Sequence, residues 1–367
     1  METLAQIALT MTPGLGSTSI RRLIDVCPDA DELFSMSHRQ LKELFGNHDE
    51  IVSFIEKKAA HTRAEEELRF MEQHGIQALF FTDPDYPQRM NRTETADCPA
   101  LLYVLGKSDL NAERAVAVVG TRKATAHGRD VTDRLIGQMA EWKASIVSGL
   151  AYGIDTAAHT AALNHGLPTI AALGHGLDRI YPAQNRKLAE RILAEGGALV
   201  TEYPSGTAIN GGNFPARNRI IAGMSDATLV VEASSKGGAL ITAAIATSYQ
   251  REVFAVPGRI TDTYSSGTNN LIATNKAAML RSADDMAYQM GWPSTDATKT
   301  RQQELFPTLG ATEQNLIDLL HKQQTATLDD LVRLSGLPLP KVAGIMFTLE
   351  MQKVVRALPG RLYEVCD

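Results

Sequence analysis

Val116-Ala-Val-Val-Gly-Thr-Arg-Lys123 decides the fold. Four consecutive apolar residues end in Gly120, and a helix pattern begins near Ala126. A run apolar on both faces leaves no side for water, so it reads as a strand covered above and below. Working outward, the same motif recurs at Leu101–Leu105, Ser145–Ser148, Thr169–Leu173, Ala198–Thr201, Ala227–Glu232 and Val253–Val256. Each run is short, apolar, and closed by glycine or a small polar residue. Stretches of about 10–15 residues with helical periodicity separate most of them. The alternation predicts an α/β domain over residues 69–290, with a mostly parallel sheet between helices.

The flanks have other rhythms. Residues 1–68 hold no strand-like run. Ile7 and Leu9 before the turn Pro13-Gly14-Leu15-Gly16-Ser17, with Ile20, Leu23 and Ile24 after it, predict two packed helices. The turn resembles a helix-hairpin-helix, with Arg21 and Arg22 beside it. Glu56–Arg69 reads as a solvated helix. Residues 291–308 are polar and aperiodic, and read as a linker. In 309–367, Thr312 can cap a helix through Leu320. Thr327 can cap a second through Leu334, stopped by Gly336 and Pro338. A third runs from Pro340 to Met351. Val354–Ala357, Pro359-Gly360 and Leu362–Val365 then make a tight hairpin. Three helices and a hairpin form a winged-helix pattern. Its third helix, Lys341–Glu350, is nearly neutral, which favours a protein contact or a weak DNA contact over groove reading.

The totals narrow the function. A chain of 367 residues, at about 100–200 per domain, carries two or three domains. The net charge of −6 excludes a generally basic surface, so any nucleic-acid affinity must come from a local patch. Cys27, Cys98 and Cys366 form no C-x-x-C, which implies reduced cytosolic thiols and no zinc signature. The first residues lack the basic region of a signal peptide, and no apolar run approaches the ~20 residues of a membrane span.

Four glycine-containing loops, each following a strand, carry the candidate chemistry. After Val119 come Gly120 and Arg122. After Val147 come Ser148, Gly149, Gly153 and Asp155, with His159 one helical turn on. Asp155 reads as a cap or first-turn acid, and the Asp155–His159 pair as packing. The third loop leads into Asn213-Phe-Pro-Ala-Arg-Asn-Arg219, where Pro215 suits a first helical turn. Arg217 and Arg219 then lie near a helix N-terminus, opposed by the helix dipole unless an anion offsets them. Glu202, Asp226 and an incoming phosphate are the candidates. In the fourth, Lys236 and two glycines separate a strand from a helix, and Glu232 can pair with one of the arginines. Loops at the carboxyl ends of parallel strands share one edge, where amides and cations converge on anions. The dinucleotide fingerprint, the P-loop, the nucleophile elbow and a metal set are all missing. That pattern points to phosphate binding without catalysis and without a cofactor.

The stretches VAVVGTRKAT, IVSGLAYGIDTAAH, YPAQN, LVTEYP, NFPARNRIIAGMSDATLVVEA, SKGGALITA, VFAVPG and SSGTNNLI occur in this order between Val116 and Ile272. Together they resemble the DprA/Smf family of DNA-processing proteins. The chain departs at the Lys236 loop, with Gly-Gly-Ala where the family often has Ser-Gly-Ser. The resemblance implies an extended Rossmann-like fold with an N-terminal helical domain and a C-terminal winged helix. It implies binding and protection of single-stranded DNA, a homodimer formed through the central domain, and delivery of the strand to RecA in natural transformation, within the cytoplasm. The motif positions it marks for DNA contact are Arg122, Ser148, Gly149, Arg217, Asn218, Arg219 and Lys236, with Arg186 and Lys187 as a second tier. Val253–Leu271 is the candidate dimer segment. Two other readings are a nucleotide phosphoribohydrolase, whose P-G-G-x-G-T-x-x-E loop this chain lacks, and a regulator acting through the winged helix.

Overall fold

The computed structural model describes residues 2–46, 48–91, 97–293, 310–351, 354–358 and 362–365. Met1–Ser294 form one compact unit and Thr295–Asp367 a second.

The first unit opens with six helices: α1 (Glu2–Thr10), α2 (Ser17–Val26), α3 (Ala30–Leu33), α4 (His38–Phe45), α5 (Asp49–Glu56) and α6 (His61–His74). Ile7, Leu9, Ile20, Leu33, Leu41 and Ile55 meet in their common core. Ser37 and Gln40 form a capping box on α4. The stretch expected as one solvated helix is broken between α5 and α6, and α6 is packed rather than solvated. It buries Ala64, Glu67 and Met71. Glu67 is 2% exposed and accepts from the Ser205 amide at 2.9 Å. Arg21, beside the turn, is engaged within the unit. Its guanidinium lies 4.5 Å from the Phe81 ring and donates to Asn91 Oδ1 and the Pro99 carbonyl. It ties α2 to the segments around Phe81, Asn91 and Pro99.

Then follow β1 (Gln77–Phe80), α7 (Gln88–Asn91), β2 (Leu101–Gly106), β3 (Ala115–Val119), α8 (Ala126–Met139), β4 (Ser145–Ser148), α9 (Ile154–Asn164), β5 (Thr169–Ala172), α10 (Arg186–Ala194) and β6 (Ala198–Thr201). The unit continues through α11 (Asn213–Gly223), β7 (Ala227–Val230), α12 (Gly238–Ser248), β8 (Glu252–Ala255), α13 (Ser266–Ala273), β9 (Ala278–Met279) and α14 (Ala283–Met290). The sheet order is β1-β2-β6-β5-β4-β3-β7-β8-β9. From β6 to β9 every pair is parallel, while β2 pairs antiparallel with β6 and with β1. The deciding strand works as its composition demands. Val116 and Val118 pack with Val131 and Leu135 of α8, whereas Ala117 and Val119 pack with Ile220 of α11 and Ala243 of α12. Alternate side chains therefore serve opposite helical layers.

The chain runs from β3 outward to β6, then returns to place β7 on the other side of β3. That reversal is the topological switch point of a doubly wound sheet, where ligands bind beyond the carboxyl ends of the strands. The fold is a mostly parallel, Rossmann-like α/β sheet.

The second unit contains α15 (Ala311–Gln323), β10 (Ala326–Thr327), α16 (Leu328–Ser335), α17 (Leu339–Met351), β11 (Val355–Leu358) and β12 (Leu362–Val365). Thr327 caps α16 through the Asp330 amide, and Gly336 ends it in the left-handed region at φ 69°. Val342, Met346 and Leu349 line one face of α17 and pack on Leu316, Leu320 and Leu331. The strands order as β10-β12-β11, completing a winged helix. Trp292 and Pro293, expected in the linker, pack on Trp142, whose indole donates to the Pro293 carbonyl at 2.9 Å. Residues 294–308 of that linker, residue 309, the Pro359-Gly360 turn and Cys366 lie outside the described residues. Among the described residues no helix is long and apolar enough to cross a membrane.

Candidate nucleic-acid interface

A cavity of about 660 Å³ opens at the switch point, beyond β3 and β7. Gly120 places the first loop on its rim, because a Cβ there would lie 2.5 Å from Ile154 Cγ1. Arg122 and Lys123 follow, both exposed. Arg122 stands 5.7 Å from the centroid of Phe214, and no carboxylate pairs with it among the described residues. Opposite, Lys236 is exposed in the loop before α12. Asn218 donates to the Gly238 carbonyl at 3.3 Å and fixes α11 against the start of α12.

Three helices, α9, α11 and α12, begin at this cavity, and none has a side-chain cap. Some first-turn amides are held by loop carbonyls, Ile154 by Thr121 and Asn213 by Asn210; the remaining ones and the helix dipoles favour an anion. Three exposed cations, an aromatic face and these amides therefore surround one space. Its chemistry suits phosphate.

Beneath the floor lies Arg217, 3% exposed. Its Nη1 donates to the carbonyls of Gly149 and Ala172, both at 2.5 Å. Burial pulls its pKa down to about 10, against the opposing pull of Asp155. Burial pushes the Asp155 carboxyl up, and Arg217 and the amides of Ala151 and Gly149 draw it back. Arg217 thus acts on the cavity largely through its field, in a region of low dielectric. His159 is fully buried, bonded to Thr169 Oγ1 at 2.7 Å, and lowered to about 3 by burial and then by Arg217. It is neutral near pH 7, a packed histidine.

Three expected contact residues are occupied elsewhere. Ser148 is fully buried, and its hydroxyl donates to the Val118 carbonyl at 2.6 Å, stitching β4 to β3. Gly149 turns its carbonyl to Arg217 and its amide to Asp155. A Cβ there would sit 2.1 Å from Arg217 Nη1, so the glycine makes room for the arginine. Arg219 pairs with Glu202 at 2.5 Å, away from the cavity lining. Of the offsetting acids, Asp226 binds Arg89 at 2.6 Å and the Ala115 amide at 2.8 Å. Glu232 meets no arginine; it accepts from the Thr125 amide at 3.0 Å and from the Thr125 hydroxyl.

Arg186 and Lys187 are exposed in the first turn of α10, outside the cavity. Tyr181 precedes them, 43% exposed, with its ring centroid 5.5 Å from that of Phe214. Phe214, Tyr181 and Lys123 belong to the surface but were not singled out from the sequence. Half-exposed aromatic rings beside a cation-lined cavity are the available signal for single-strand binding.

Residues 77–291 match the family model of DNA recombination-mediator protein A, and residues 300–361 match the DprA winged helix domain. Protein Smf of Synechocystis sp. is 34% identical over 372 residues, covering 91% of this chain and 88% of that protein. The X-ray structure of DNA processing protein A from Streptococcus pneumoniae superposes with a TM-score of 0.68 at 32% identity, covering 78% of this chain and 98% of that one. A Helicobacter pylori DNA processing protein A, described for its unique single-stranded DNA binding mode, matches with a TM-score of 0.52 at 30% identity, covering 59% and 95%. The chain belongs to the DprA/Smf family of DNA recombination-mediator proteins.

Proposed function

We propose that this protein binds single-stranded DNA at the switch-point cavity, protects it, and delivers it to RecA without catalysing a reaction. The observation that carries the reading is the convergence of Arg122, Lys123 and Lys236 with three uncapped helix N-termini around one space. Phosphates lie between the cations, Asn218 and the amides, over the buried charge of Arg217. The Phe214 and Tyr181 rings offer stacking faces, and Arg186 and Lys187 extend the track. Exposed bases can use such faces, whereas a duplex keeps its bases stacked inside. The buried acid at the floor, Asp155, is committed to Arg217 and two amides, which suits holding rather than proton transfer. The Helicobacter relative's described single-strand binding supports the ligand. Family membership supports the mediator role, in natural transformation and homologous recombination in the cytoplasm. The protein acts as a homodimer, with the exposed Ile260 and Met279 in and beside the Val253–Leu271 segment as its apolar contacts. In the winged helix, α17 exposes Phe347 at 65% and only one cation, Lys341, which suits a protein partner.

The test is a salt-titrated comparison of single- and double-stranded DNA binding by the whole chain, followed by RecA addition to the complex. Preferential single-strand binding with faster RecA filament growth is expected. Equal affinity for duplex, or a complex that excludes RecA, contradicts the reading.

A further inference from the structure

A second cavity, of about 880 Å³, lies beside the first at the same carboxyl edge. It opens over β7 and β8, between the start of α8 and the loop from Val256 to Ser265, and Tyr264 lines both cavities. The loop is anchored. Asn269 accepts from the Gly258 amide at 3.1 Å and donates to its carbonyl at 2.9 Å. The Ala233 amide donates to the Tyr264 carbonyl at 2.7 Å. Val131, Val231, Val256 and Pro257 supply apolar wall.

Glu232, 7% exposed, lines this cavity and not the first. Its two oxygens each accept one bond from Thr125, at 3.0 Å and 2.5 Å. A carboxylate offers about four acceptor positions, so capacity remains on both oxygens. Gly128 leaves the space the carboxylate fills, since a Cβ there would lie 2.3 Å from Oε2. The consequence is electrostatic. The N-terminus of α8 already carries a fixed anion, whereas α9, α11 and α12 begin without a side-chain cap. His127, Arg259 and Asp262 also line the second cavity. Beside Glu232, where the α8 N-terminus already faces an anion, it disfavours phosphate and favours a flat group with hydrogen-bond donors at its edge.

We propose that this cavity takes one base of the bound strand, with an exocyclic amino group directed at Glu232. The proposal rests on the single-strand reading above. Cytosine and adenine carry such an exocyclic amino donor, whereas thymine has none: its single ring donor, N3–H, lies between two carbonyl oxygens that repel a carboxylate. The protein would then favour strands with an amino-bearing base at this position over all-thymine strands.

The experiment measures affinity of the full chain for labelled all-thymine oligonucleotides and for the same strands with a central run of cytosines. The cytosine strand is expected to bind roughly tenfold tighter, the scale of one hydrogen bond to a charged acceptor. Replacing those cytosines by N4,N4-dimethylcytosine removes the donors without touching the protein, and should return affinity to the thymine level. Glu232→Gln should shrink the same ratio while leaving all-thymine binding unchanged. Equal binding of cytosine, dimethylcytosine and thymine strands overturns the base site and leaves the strand-binding reading standing. Failure to bind any single strand overturns both.

Discussion

Arg217 and Arg219 lie two residues apart on α11 and serve different ends. Arg219 closes a partly buried pair with Glu202, and each partner keeps one buried polar atom unbonded. Arg219→Ala should strand Glu202 and lower stability by roughly 2–4 kcal/mol in urea unfolding, while the folded fraction keeps its single-strand affinity. Gly149 has the converse dependence. Gly149→Ala places a methyl against Arg217 Nη1, so it should cost about 1–3 kcal/mol and weaken binding together, because the buried charge moves. His159 sets a pH limit. Its native pKa, about 3, lies below its usual 6.5, so the unfolded chain binds the proton first as pH falls. The stability it allows is complete above 6.5 and is lost toward 3, by about 1.4 kcal/mol per pH unit. His159→Gln should flatten that acid limb; an unchanged limb would show that His159 is not its source.

The elements differ in how openly the sequence announces them. β3, β4, β5, β6 and β7 are fully buried apolar runs, and composition alone marks them. β1, with its mixed Gln77–Phe80 exposure, and β9, two residues long, carry no such signal; their register on β2 and β8 defines them. The loops at Arg122, Asn218 and Lys236 were readable because glycines, cations and strand ends coincide. The roles of Ser148, Gly149 and Arg219 were not, because each depends on a partner 30, 68 or 17 residues away. Helix caps were readable where the signal is local. Thr327→Ala removes a capping box and should cost about 1 kcal/mol, seen as several-fold faster amide exchange in α16.

At the scale of the whole molecule, the proposed binding asks an acidic chain to hold an anion by gathering cations at one point. With a net charge of −6, the remaining surface discourages unspecific attachment, and the switch-point cavity supplies cations, amides and a buried guanidinium. Neither Arg122 nor Lys236 forms a salt bridge among the described residues, and Arg122 is the weakest of the influences on the Asp155 carboxyl, so reversing the two should leave the fold intact. The decisive measurement is therefore the salt dependence of single-strand affinity for the wild type and for the Arg122→Glu, Lys236→Glu double variant. The account predicts a large loss of affinity and a log–log slope shallower by about 1.4, two phosphate contacts at ~0.7 each, with an unchanged unfolding midpoint. A folded double variant that binds with wild-type affinity and slope would contradict it.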